Sequence, residues 1–96
     1  MSRQIIFKFR LYVAGDTQNS VHALANLTAI CRKHLPDRHE IEVVDLLRQP
    51  KRALADGVLM TPTLILLAPP PIIKIVGTLN QRGKIVRTLG LGIVAA

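Results

Sequence analysis

Cys31 is the one thiol in this chain, and its isolation sets the limits of the chemistry available. Without a second cysteine there is no internal disulfide, no CxxC dithiol pair and no cysteine-rich zinc cluster. Cys31 also falls on an apolar helical stripe, where a buried and inert thiol is the ordinary outcome. The histidines His22, His34 and His39 offer little more. Only the last two lie near each other, across a proline turn, and all three read as exposed structural residues, not metal ligands. Ser20 and His22 make no nucleophile–base pair, because positions i and i+2 on a helix diverge. A phosphate loop is missing too: no GK[ST] follows Gly15, and Gly77 and Gly83 are too far apart. Asp16, Thr17, Asn19 and Ser20 form a polar turn that could hold a ligand. Their simpler use is to cap a helix, and that is the reading adopted. No residue is assigned a catalytic, cofactor-binding or metal-binding role, so the expected function is non-enzymatic.

Charge is the next lead. The formal net charge is +7, from 13 Lys and Arg against 6 Asp and Glu. Such a balance invites a nucleic-acid reading. The cations are dispersed, however, with no run longer than two, and no aromatic platform interleaves them. Residues 57–96 contain no carboxylate and carry Lys74, Arg82, Lys84 and Arg87. An acidic protein surface as partner accounts for this charge as well as nucleic acid does. The N-terminus lacks a leader pattern, since Lys8 and Arg10 interrupt its apolar stretch. The uncharged run from Val58 to Ile73 holds four prolines and cannot form a membrane helix. The expected location is cytoplasmic.

The elements that position these residues fit one domain, 1–96. Ile5–Val13 alternates, with Phe7, Phe9, Leu11 and Val13 on one face and Ile6, Lys8, Arg10 and Tyr12 on the other. This predicts a strand with one well-buried face. A helix is expected from about Asn19 to Leu35, burying Val21, Leu24, Leu27, Cys31 and Leu35, with Ala23 and Ile30 widening the stripe. Pro36–Asp37 ends it, and β-branched Glu40–Leu46 supplies a second strand. Strand, helix, strand in this order is a βαβ unit with a parallel pair and a right-handed crossover. Pro50 opens a short helix over Lys51–Asp56, which Gly57 closes. Leu64–Leu67 and Ile72–Val76 read as strands. The tail, Asn80–Ala96, fits two templates. As a helix it stacks Ile85, Val86, Leu89 and Ile93 but carries three glycines, each costing about 1 kcal/mol. As a strand, Leu89–Ile93 alternates. Local propensity leaves the choice open.

The segment Leu11–Ser20, LYVAGDTQNS, resembles the LYVAGxTxxS signature of the KaiB family. Val44–Leu47 with Gln49–Pro50, then Thr61–Leu64, Pro69–Pro71 and Ile75–Gly77 follow in matching order and spacing. The resemblance runs from about residue 5 to 93. It implies an α/β, thioredoxin-like fold whose first half is the βαβ unit. It also implies a second half able to adopt either a ground-state KaiB arrangement or a thioredoxin-like one, the former in a homo-oligomer, tetramer or dimer. The turn where thioredoxins carry CxxC is here Gly15–Ser20, without sulfur. Cys31, about four turns further along the helix, does not replace it. Thr61–Pro62 matches the threonine–cis-proline pair that faces a thioredoxin's redox site. By the same resemblance the partner is a KaiC-like hexameric ATPase, met through the short second helix, which makes Pro50, Lys51, Arg52 and Leu54 the candidate contacts. A solvated helix face is the alternative for these four. Glu40, Glu42, Gly57, Thr78 and Thr88 depart from the family's usual residues. They leave room for another partner, such as a sensor histidine kinase or a stress-response complex.

Overall fold

The computed structural model describes residues 5–91. Its first strand, β1 (Phe7–Val13), runs parallel to β2 (His39–Asp45), with Phe7 opposite His39 and Val13 opposite Asp45. Between them α1 (Gln18–His34) makes the crossover, so the expected βαβ unit is present. Then come α2 (Pro50–Ala55), β3 (Thr63–Ala68), β4 (Ile73–Val76) and α3 (Arg82–Thr88). The 4-stranded sheet has the order β2-β1-β3-β4, with β3 antiparallel to both β1 and β4. This is the thioredoxin-like arrangement of the second half. The peptide bond between Thr61 and Pro62 is cis.

Two cores flank the sheet. The larger packs Phe9, Leu11 and Val13 of β1 and Leu64 and Leu66 of β3 beneath α1 and α3. The smaller gathers Tyr12, Val44, Ala53, Val58 and Ile65 under α2. The expected face of β1 is buried at Phe9, Leu11 and Val13, and the opposite face departs from expectation at one residue. Tyr12, on the face assigned to Lys8 and Arg10, is fully buried because α2 folds over it.

The stripe of α1 is corrected as well. Ser20, Ala23, Leu27, Ile30 and Cys31 are its buried residues, whereas Leu24 is exposed and Val21 is 53% exposed. At about 100° per residue, the buried five span a narrow arc; Leu24 lies at its margin and Val21 beyond it. Ser20 turns that arc inward. Its Oγ accepts from the Ala14 N–H at 3.1 Å and from the Thr17 hydroxyl at 2.8 Å. The same contacts overturn the capping assignment of the turn. Thr17 holds the N-cap position, yet no side chain caps the helix.

Packing decides the tail. Ile85, Val86 and Leu89 bury one face of α3 and its C-cap against the main core. Each such burial contributes about 1.5–3 kcal/mol, more than the roughly 1 kcal/mol that Gly83 costs inside the helix. The continuation of either template through Ile93 lies outside the described residues.

Candidate partner-docking site

Helix α2 is too short to hold itself together in water. Pro50 starts it with a preset φ. Gly57 stops it at φ +68°, a left-handed conformation that favours glycine. There the Gly57 N–H donates to the Leu54 carbonyl at 3.1 Å and Val58 N–H to Ala53 carbonyl at 2.8 Å. What seats the helix is a set of charged and polar contacts reaching up from the sheet. Arg10 sends Nε to Glu42 Oε1 at 2.7 Å and Nη1 to Asp56 Oδ2 at 2.9 Å. The Tyr12 hydroxyl lies 2.5 Å from the same Asp56 oxygen and 3.0 Å from the Arg52 carbonyl. Arg52 reaches back to Glu42 at 2.9 Å, and the Lys74 ammonium donates to the Asp56 carbonyl. Side chains from β1, β2 and β4 thus grip one short helix at Arg52 and at its C-cap, Asp56.

The electrostatics follow from these contacts. Hydrogen bonds from Tyr12 and then Arg10 outweigh partial burial and hold the Asp56 carboxyl below its ordinary range. Those from Arg10 and Arg52 lower Glu42 in the same way. Burial, reinforced by the bond to Asp56, raises the Tyr12 phenol. The result is a fixed, charge-compensated base beneath α2.

The four residues expected to contact a partner do not share one environment. Pro50, Lys51 and Leu54 face solvent, Leu54 at 73% exposure. Arg52 is half-buried and bound to Glu42, so it serves the seating of the helix. Exposed Leu47 and Met60, with Leu59 at 88%, extend the apolar surface on the segments that flank α2. Arg10, Tyr12, Glu42 and Asp56 went unrecognised in the sequence. The one available signal was Arg10 and Tyr12 alternating on a strand face opposite a carboxylate-bearing strand. Glu42, read as a departure from the family's usual residues, is the anchor shared by Arg10 and Arg52.

At the β1–α1 turn the polar side chains of Thr17 and Ser20 bond to one another and to the turn. A cleft beside them is lined by apolar Val13, Val21, Leu24 and Val43 and by charged Asp16, Asp45 and Arg48, with no sulfur in its walls. Cys31 lies about 16 Å further along the helix axis than Ser20. It is fully buried, and burial pushes its thiol up to about 11. A thiol-reactive dye at pH 8 is therefore expected to label Cys31 rapidly in denaturant and negligibly in the native chain. Fast native labelling, followed by absorbance, would contradict this burial. Among the described residues no three His, Cys, Asp or Glu side chains gather in a metal-binding cluster, and no helix is long and apolar enough to cross a membrane.

The chain is a thioredoxin-like domain with no thiol at its β1–α1 turn and with an exposed apolar and basic helix seated on its sheet. Comparison with known proteins places it in a family. Residues 10–91 match the KaiB domain. The circadian clock protein KaiB3 of Synechocystis sp. is 41% identical over 85 residues, covering 88% of this chain and 81% of its own length. The circadian clock oscillator protein KaiB of Thermosynechococcus vestitus is also 41% identical over 85 residues, with 88% and 79% covered. The chain belongs to the KaiB family. In fold it is similar to the N-terminal domain of Synechococcus elongatus SasA, with a TM-score of 0.74 at 17% identity, covering 98% of this chain and 94% of that one. Chloroplastic thioredoxin z gives 0.71 at 13% identity, over 96% and 99%.

Proposed function

We propose that this chain is a non-enzymatic regulatory interaction domain of the circadian-clock type. Through α2 it docks on a KaiC-like hexameric ATPase and modulates that enzyme's ATPase and phosphorylation cycle. The observation that carries this reading is the state of α2: Leu54 projects into water one turn after Lys51, on a helix tied to the sheet at Arg52 and at its C-cap, Asp56. A large exposed apolar side chain on a rigid seat loses little entropy on binding and is suited to fill a partner's pocket. Membership of a family whose similar members are named as clock proteins supports the same role. Self-association, with the second half in its other arrangement, would keep the docking form scarce and make association slow.

The test is a pull-down of the KaiC homologue from the same organism, with ADP and with ATP. Binding is expected in at least one nucleotide state. Leu54→Glu should lower it by about tenfold or more, equivalent to about 1.4 kcal/mol or more, without changing the circular dichroism spectrum. No capture in either state, or capture unaffected by Leu54→Glu, removes the proposal. Selective retention of a sensor histidine kinase in place of the ATPase would also overturn it.

A further inference from the structure

Strand β4 lies at the outer edge of the sheet, and among the described residues it pairs with β3 alone. One hydrogen bond reveals which way its backbone groups point. The Gly77 N–H donates to the Pro62 carbonyl at 2.9 Å, so Pro62 and Gly77 form a hydrogen-bonded pair. Bonded and unbonded pairs alternate along an antiparallel ladder. Leu64–Ile75 and Leu66–Ile73 are therefore bonded, while Ile65–Lys74 and Thr63–Val76 are not. It follows that the N–H and C=O groups of Lys74 and Val76 point away from the sheet. Such an edge is a template for another strand unless something guards it. A lysine is a usual guard, yet Lys74 is folded back onto the Asp56 carbonyl at the end of α2.

Each face of this edge has a recess beside it. On the α3 side is a cleft of about 440 Å³, with Asn80, Gln81, Lys84 and Thr88 in its walls. On the α2 side is a smaller recess of about 230 Å³, lined by Leu59, Met60 and Val76 among others. A strand laid along β4 sends alternate side chains to the two faces. One set meets the polar, cationic cleft; the other meets the apolar shelf. No carboxylate follows Asp56 in the chain, so nothing in the second half competes for Lys84.

The geometry points to a β-augmentation site at β4. It takes an extended segment of a partner protein in which acidic residues, facing Lys84, alternate with apolar residues facing Leu59, Met60 and Val76. A second copy of this chain suits the edge poorly, because paired β4 strands bring cations together with no carboxylate between them. The site lies off the exposed face of α2 itself, sharing only Leu59 and Met60 with the apolar surface that flanks the helix, and it does not depend on the ATPase reading.

The experiment titrates the whole chain into a fluorescein-labelled peptide of alternating glutamate and valine, read by anisotropy and amide hydrogen exchange. Saturable binding is expected, with the Lys74 and Val76 amides gaining protection. Ile73 and Ile75, already bonded to β3, should change little. N-methylating every second peptide nitrogen, in the register that faces β4, should weaken binding roughly tenfold, as the loss of one or two main-chain hydrogen bonds requires. Lys84→Glu should weaken it similarly while leaving the circular dichroism spectrum unchanged. The proposal is overturned by absence of binding, by equal binding of a peptide with the same residues in blocks, or by binding without protection at Lys74 and Val76. Protection there that rises with protein concentration alone also overturns it, by assigning the edge to a second copy.

Discussion

An Asp56→Ala variant is expected to lose about 2 kcal/mol of stability and, with it, the fixed seat of α2. The Asp56 carboxylate receives the Tyr12 hydroxyl at 2.5 Å and Arg10 Nη1 at 2.9 Å. Its removal leaves Tyr12 fully buried with only the Arg52 carbonyl to bond, and leaves one arm of Arg10 without its anion. Hydrogen bonds to charged groups contribute about 1.5–3 kcal/mol each, and the partial exposure of Arg10 and Asp56 screens that value downward. The midpoint of urea denaturation measures the loss. A midpoint equal to that of the parent chain would show that Asp56 does not seat the helix.

The same substitution has a pH signature. The native pKa of Asp56 is depressed below its ordinary 3.8, so the unfolded chain binds its proton first as pH falls. Its contribution is complete above the ordinary carboxylate range and vanishes as pH drops through the lowered native value. Glu42, depressed by Arg10 and Arg52, acts in the same sense. Stability of the parent chain should therefore fall below about pH 4, and in Asp56→Ala that acid limb should be shallower, with Glu42 supplying the remainder. At the alkaline end the direction reverses. Cys31 has an ordinary value of 9.0 and a native one of about 11, so its contribution is whole below 9.0 and lost as pH rises through about 11. An acid limb as steep in Asp56→Ala as in the parent would contradict the first of these assignments.

The largest single loss is expected from Leu27→Ala. Leu27 is fully buried at the centre of the arc that α1 presses onto the sheet, among Leu11, Ala23, Ile30 and Cys31. Truncation removes its transfer free energy and leaves a cavity, together about 2–5 kcal/mol. A domain of this size holds only about 5–10 kcal/mol in total, so the variant should melt some 10–30 °C lower, at about 4–8 °C per kcal/mol. Val21→Ala provides the internal control. Val21 looks out from the same helix, and its truncation should cost about 0.5 kcal/mol or less. Equal losses at the two positions would mean that α1 is rotated from the orientation described here.

The pair also marks how far the sequence could be read. Spacings of three and four placed both Val21 and Leu27 on the buried stripe. Periodicity locates a helix well but leaves its rotation about the axis poorly specified when apolar residues span a wide arc. Ser20 settled the rotation through bonds to Ala14 and Thr17, contacts with no hydrophobic signature. Tyr12 and Glu42 show the same limit on the sheet. Alternation put Tyr12 on a solvent face because the element that covers it, α2, comes some forty residues later. The ion pairs that Glu42 makes with Arg10 and Arg52 were illegible for the same reason.

Local chemistry in the chain was sufficient for the βαβ unit, for the stops at Pro36 and Gly57, for a turn without sulfur, and for a basic second half. Each rests on neighbours within a few residues, where sterics, capping and side-chain period act directly. Folding alone decided that Arg82–Thr88 is helical, that Tyr12 is buried on the second face of β1, and that Arg52 is tied to Glu42 while Leu54 faces water. Those outcomes depend on contacts between distant segments, whose burial and ion pairing, at about 1–3 kcal/mol apiece, exceed the small differences in local propensity that a sequence displays.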